Sequence, residues 1–212
     1  MPGVDTATDP TGSGGTAAPA RSRTASPGRD VPGRPSILGV GVVVWLASEL
    51  MFFAGLFGSH FFLGSTTDVW PPTDVELDVP RALLATLVLV ASSGTMHLAV
   101  VASERGDRRG VVRWLAVTGV LGTLFLANLV QEWSILDFSI SSHAYGTTFY
   151  LMTGFHGLHV FGGLLFMVGV VALVTGRRTE APIGPPVAVV GYYWHFVDVV
   201  WVAMFATLYL LD

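Results

Sequence analysis

Acids and histidines stand in stretches of this sequence that are otherwise apolar, and the chemistry open to them is proton transfer or metal ligation. Asp198 lies in Trp194-His195-Phe196-Val197-Asp198-Val199-Val200-Trp201, near the middle of an apolar run from Val187 to Leu211. A carboxylate at the centre of a membrane-spanning helix costs about 2.5 to 3.5 kcal/mol on insertion scales, so it requires a partner or a purpose. Spacing supplies candidates: His195 lies three residues before Asp198 and Trp194 seven before Trp201, which gives one helix two working faces. Glu49 is a second acid near the middle of a span, within Ser48-Glu49-Leu50-Met51-Phe52-Phe53. It is either a neutral carboxyl hydrogen-bonded into the bundle or part of a proton pathway. A relay needs a string of polar groups, and Ser48 is the polar neighbour this stretch offers, which favours the packed carboxyl.

The segment Gly154-Phe155-His156-Gly157-Leu158-His159 sets two imidazoles on one face of a helix, beside small residues. A metal or haem site can be tested by counting ligands. A haem-copper centre needs about six histidines spread over several helices, and a copper-thiolate site needs cysteine, of which the chain has none. A di-haem bundle needs histidines paired at repeated intervals; His143 and His156 have such a separation, whereas His60, His97 and His195 each stand alone on their spans. The count therefore assigns no catalytic, cofactor-binding or metal-ligating residue. It leaves histidines that bond to backbone carbonyls or to carboxylates on neighbouring helices.

The elements that must position these residues follow from composition. Of 212 residues 51% are hydrophobic and 12% charged, more apolar surface than one soluble core could hide. Five apolar segments, over about 37–63, 81–103, 111–133, 144–175 and 187–211, are each long enough to cross a hydrocarbon core of about 30 Å. The expected fold is an all-α integral membrane protein, a bundle of five transmembrane helices over 36–212, the fourth overlong and tilted or projecting. Residues 1–35 hold mostly Gly, Ser, Thr, Pro and Ala and read as a disordered tail without the apolar core of a secretory signal.

Orientation comes from arginine, since there is no lysine. Of the eleven basic residues, all but Arg81 fall on one side, in the tail (Arg21, Arg23, Arg29, Arg34), the second loop (Arg105, Arg108, Arg109, Arg113) and the fourth (Arg177, Arg178). The positive-inside rule makes that side cytoplasmic, with the N-terminus, and leaves Asp68, Asp74, Glu76, Asp78 and the C-terminus outside. A net charge of −4 argues against a nucleic-acid partner. Small residues at helical spacing, Ala54 with Gly58, Gly55 with Ser59, and Gly163, suggest close helix packing.

Four segments carry a resemblance. Ser48 to Phe53, Tyr145-Gly146-Thr147-Thr148-Phe149, Thr153 to Val160 and Tyr193 to Trp201 resemble, in order, the signature segments of cytochrome c oxidase subunit III. The resemblance implies a non-catalytic accessory subunit of an aa3-type oxidase in the bacterial plasma membrane. Such a subunit stabilises the haem-copper catalytic subunit I and supports proton uptake, beside a copper-bearing subunit II. Haem a and copper belong to those partners and none to this chain; bound phospholipid and a larger respiratory supercomplex are further implied partners. By position, Glu49 resembles the family's buried glutamate, and His156, His159, His195, Asp198 and Glu132 match its other embedded polar groups. Many members have seven spans; this chain resembles the family from its third span onward, which puts the family's lipid cleft in question. Leu129 replaces a glutamine frequent three residues before the acid of the third span, and Gly184-Pro185-Pro186-Val187-Ala188 replaces an acid-bearing segment before the last. Five spans, many Arg and Gly and no Lys resemble an actinobacterial-type member. Alternatives are the equivalent partner of a nitric oxide reductase or quinol oxidase and, in another class, a small proton-coupled transporter using Glu49 and Asp198, which a lack of inverted-repeat symmetry weighs against.

Overall fold

The computed structural model describes residues 37–73, 75–176 and 182–211. The expected tail over 1–35 with its arginines, and Asp74, Arg177 and Arg178, lie outside the described residues. Those described fold into five long helices and no strand: α1 Ile37–Thr66, α2 Val79–Glu104, α3 Arg108–Ile135, α4 Ala144–Gly176 and α5 Gly184–Phe205, the last continued by a π-helical segment Ala206–Leu211. All five are long and apolar enough to cross a membrane. Each reaches slightly past its apolar segment at one or both ends, and polar side chains cap the starts of α2, α3 and α4.

The caps are local chemistry. The Asp78 carboxylate accepts the Arg81 N–H at 3.1 Å to start α2, and Asp107 accepts the Gly110 N–H at 2.9 Å to start α3. His143 Nδ1 does the same for α4, accepting the Gly146 N–H at 2.8 Å. Pro185 and Pro186 stand in the first turn of α5, where the missing N–H costs nothing. Between α2 and α3 the chain reverses through Gly106 at φ +70°, a conformation that favours glycine.

α2 packs on α3 and α5, α3 on α4, α4 on α5, and α1 lies against α4 and α5. The last helix is the most buried of the five and α1 the least. Their arrangement around α5 comes from Trp194 and Trp201, which seven-residue spacing puts on one face. Both are buried, and each reaches α2 with its indole N–H, Trp194 to Ser92 Oγ and Trp201 to Thr86 Oγ1, both at 2.9 Å. The six-residue step from Thr86 to Ser92 matches the seven-residue step between the tryptophans on the facing helix. Gly122 of α3 and Gly163 of α4 leave the slot for Trp194: a Cβ on either would lie 2.6 Å or 2.8 Å from its ring carbons.

Gly163 therefore takes the close-packing part that its spacing suggests, but the small residues of α1 do not pack within this chain. A Cβ added to Gly55 or Gly58 would meet no atom of another element within 4 Å, and Ala54 and Ser59 are exposed. The reason is the larger side of α1: Phe53 and His60 are buried against the bundle, and the small side is turned away.

Candidate functional site

Three polar constellations hold all the residues singled out from sequence except His156, and none gathers them together. In the first, Glu49 of α1 meets His159 of α4, with Oε2 3.0 Å from Nε2. His159 Nδ1 lies 2.6 Å from the Phe155 carbonyl oxygen, which can only accept, so Nδ1 carries a hydrogen. One further proton between Nε2 and Oε2 can then rest on either partner, giving a neutral acid with a neutral imidazole or an ion pair. The His159 carbonyl accepts the Tyr193 hydroxyl at 2.8 Å, and Trp45 stacks on Tyr193 at 5.3 Å between centroids. The pair is thus set in aromatic surroundings while staying partly open, with side-chain exposures of 25% for Glu49 and 16% for His159.

His156 does not share that face. It is fully buried and turns toward α3 and α5, its ring 5.7 Å from Phe125 and 5.0 Å from Trp201. Neither ring nitrogen has a hydrogen-bond partner among the described residues. Three residues on a helix leave two side chains about 60° apart, and α4 has α1 on one side and α3 and α5 on another, so that angle is enough to give the two imidazoles different neighbours.

The second constellation joins α2 and α5. Ser93 Oγ donates to Asp198 Oδ2 through a short hydrogen bond, and His195 Nδ1 lies 2.7 Å from the same hydroxyl oxygen. With the one hydroxyl hydrogen given to the carboxylate, the imidazole N–H donates to the hydroxyl oxygen, so His195, Ser93 and Asp198 form a directed chain. Asp198 is buried, and its second oxygen, Oδ1, has no donor among the described residues.

The third lies near the Arg81 end of α2. Glu132 is buried and its Oε1 accepts the Tyr209 hydroxyl at 2.8 Å. Arg81 Nε donates to Asn128 Oδ1 at 2.9 Å, one turn from Glu132 on α3. Together these bonds tie α2, α3 and the π-helical end of α5 into one corner. Among the described residues, no group of three or more His, Cys, Asp or Glu is arranged to hold a metal ion.

Sequence reasoning named the acids and imidazoles but missed their partners Ser93, Tyr193 and Tyr209, and the tryptophans' acceptors Ser92 and Thr86. A signal was present. Adjacent serines at mid-span, with a threonine six residues earlier, are the residue types that bond across helices where no water is available.

Comparison with known proteins agrees with this architecture. The family described as Cytochrome c oxidase subunit III matches residues 31–212. The probable cytochrome c oxidase subunit 3 of Nocardia farcinica is 45% identical over 180 residues, covering 83% of this chain and 89% of that protein. Its counterpart in Mycobacterium tuberculosis is 45% identical over 183 residues, 84% of this chain and 90% of its own length. The cytochrome c oxidase subunit 3 of Corynebacterium diphtheriae is 40% identical over 185 residues, 84% and 90% of the two lengths. With five membrane-length helices and a match over nearly all of the described chain, this protein belongs to the cytochrome c oxidase subunit III family, the accessory subunit of a multi-subunit membrane oxidase.

Proposed function

We propose that this chain is the redox-inactive third subunit of an aa3-type cytochrome c oxidase in a bacterial plasma membrane, with its N-terminus cytoplasmic and its C-terminus outside. Residues 1–35 form a cytoplasmic tail and 36–212 the membrane domain. The observation that carries this reading is the 45% identity with actinobacterial subunits over 83% to 84% of the chain. The chain acts as scaffold for the haem-copper subunit, with haem a and copper in the partner subunits I and II. The Glu49–His159 pair gives it a place to hold and pass a proton, since one proton can rest on either of two atoms 3.0 Å apart in a partly open site. His156, His195, Asp198 and Glu132 act through packing and interhelical bonds.

Affinity purification of a tagged copy in mild detergent is the direct test. It should bring down subunits containing haem a and copper, while the chain isolated from them shows no haem absorbance. A tagged preparation free of haem would sink the proposal. Orientation has its own check because the chain lacks cysteine: Arg109→Cys should react with an impermeant thiol reagent from the cytoplasmic side and Ser141→Cys from the other, and the reverse pattern would invert the topology.

A further inference from the structure

The chain His195–Ser93–Asp198 lies on the outside of the bundle. Ser93, His195 and Asp198 line a cavity of about 300 Å³ in the seam between α2 and α5, and the rest of its wall is Val90, Val199 and Val202. The valines are 46%, 69% and 45% exposed, and His97, one turn along α2 from Ser93, is exposed as well. Asp198, which lines this cavity, is the acid whose Oδ1 is buried without a donor.

What could complete it is limited by depth. Asp198 stands near the middle of the membrane-length segment Gly184–Leu211, about 20 Å from either end at 1.5 Å per residue, beyond the reach of lipid headgroups. Acyl chains carry no donor, and a carboxyl oxygen buried at this depth without one is costly. A second copy of this chain docked symmetrically would set acid against acid. The remaining occupant is a helix of another polypeptide, laid along the valine-walled seam and inserting one hydroxyl, amide or cationic side chain at mid-membrane.

We propose that the α2/α5 seam is where this subunit docks on the oxidase core, and that the core helix seated there presents a hydrogen-bond donor to the Asp198 carboxyl. The inference rests on the oxidase reading above and adds the contact face and the chemistry of the contact. The small side of α1 makes no comparable demand, because its one hydroxyl, Ser59, already donates to the Gly55 carbonyl at 2.8 Å.

The test uses the assembled complex and changes a residue the fold does not need. Val199→Trp adds bulk on the seam at an exposed position, and Val168→Trp, at a position 66% exposed on α4, is its control. Expected is loss of the core from the tagged Val199→Trp subunit, with the wild-type and Val168→Trp subunits retaining it and all three isolated subunits melting alike. Asp198→Asn, which weakens the acceptor while keeping its shape, should speed release of the core about tenfold in detergent. A photo-reactive residue at Val90 should form its adduct with the haem-copper subunit. Retention by Val199→Trp equal to wild type, equal loss from both tryptophan variants, unchanged release from Asp198→Asn, or adducts with lipid or a second copy alone would overturn the docking face. If the wild-type chain brings down no core, the oxidase reading fails as well; if it does and Val199→Trp does too, the docking inference alone fails.

Discussion

The inner side of α5 and the acid sites flanking it use the same residue types to opposite ends. Inside, Trp194 and Trp201 are buried to within 2% and each indole N–H has an acceptor on α2, with two glycines shaped around the Trp194 ring. On the flanks, Asp198 keeps one oxygen without a donor and Glu49 remains 25% exposed beside His159. The adjacent residues Ser92 and Ser93 divide the work: Ser92 serves the tryptophan side and Ser93 the acid side. The two indole N–H groups are satisfied within the chain and contribute to its own fold, whereas Asp198 Oδ1 has no donor among the described residues.

The largest effect should come from breaking the tryptophan seam. Gly163→Leu would drive a branched side chain into the Trp194 ring, where even a Cβ lies 2.8 Å from ring carbons. Overpacking a tight core costs about 1 to 3 kcal/mol and more when backbone must move, so no folded subunit should be recovered from detergent-solubilised membranes. Gly163→Ala should fold with a lowered melting temperature, and pairing it with Trp194→Phe should restore part of the loss. Normal melting of Gly163→Leu would show that the slot is not tight.

Ser92→Ala comes next. It removes the acceptor of a fully buried indole N–H, which costs about 1 to 3 kcal/mol where no water can replace it. Thermal melting of the isolated subunit should detect the change, and a second substitution, Trp194→Phe, should make the serine nearly dispensable. Additive losses in that double mutant would mean the two residues do not act as a pair.

These contrasts also mark how far the sequence could be read. Five spans followed from apolar runs of sufficient length, and the part of α5 from two tryptophans seven apart. Glu49 and Asp198 stood out because a charge is rare in such runs. Which histidine an acid would meet was not legible, since Glu49 and His159 lie 110 positions apart and only the packing of α1 on α4 brings them together. The separation of His156 from His159 was equally hidden: spacing alone gives one face, and the position of three neighbouring helices decides that the face is shared among them. The outward turn of Gly55 and Gly58 is of the same kind, because small-residue spacing marks a surface fit for close approach without naming the partner.

Ser93→Ala should separate the two regions cleanly. It deletes the hydroxyl that links His195 to Asp198 but leaves Ser92 and the tryptophan bonds in place. Hydrogen bonds between membrane helices average about 0.6 kcal/mol and Ser93 makes two, so the isolated subunit should lose about 1 kcal/mol, near the lower end of the range for Ser92→Ala. A loss equal to that of Ser92→Ala in the same melting assay would mean that the flank supports the fold as much as the seam does.

The smallest effect is expected at Glu49. His159 Nδ1 is committed to the Phe155 carbonyl, so in the neutral form of the pair Nε2 accepts and Glu49 donates. The amide of Glu49→Gln can donate to the same nitrogen from nearly the same place, which preserves the contact while removing the exchangeable acid proton. Stability should therefore change by less than about 0.6 kcal/mol, with unaltered haem spectra and near-normal initial oxygen consumption by the complex. Glu49→Leu, which has no donor, should lower the melting temperature further than Glu49→Gln. Equal losses from Gln and Leu would mean that the acid proton itself holds α1 to α4, and a shifted haem spectrum in Glu49→Gln would mean that this flank acts on the redox centres and not only on the subunit that carries it.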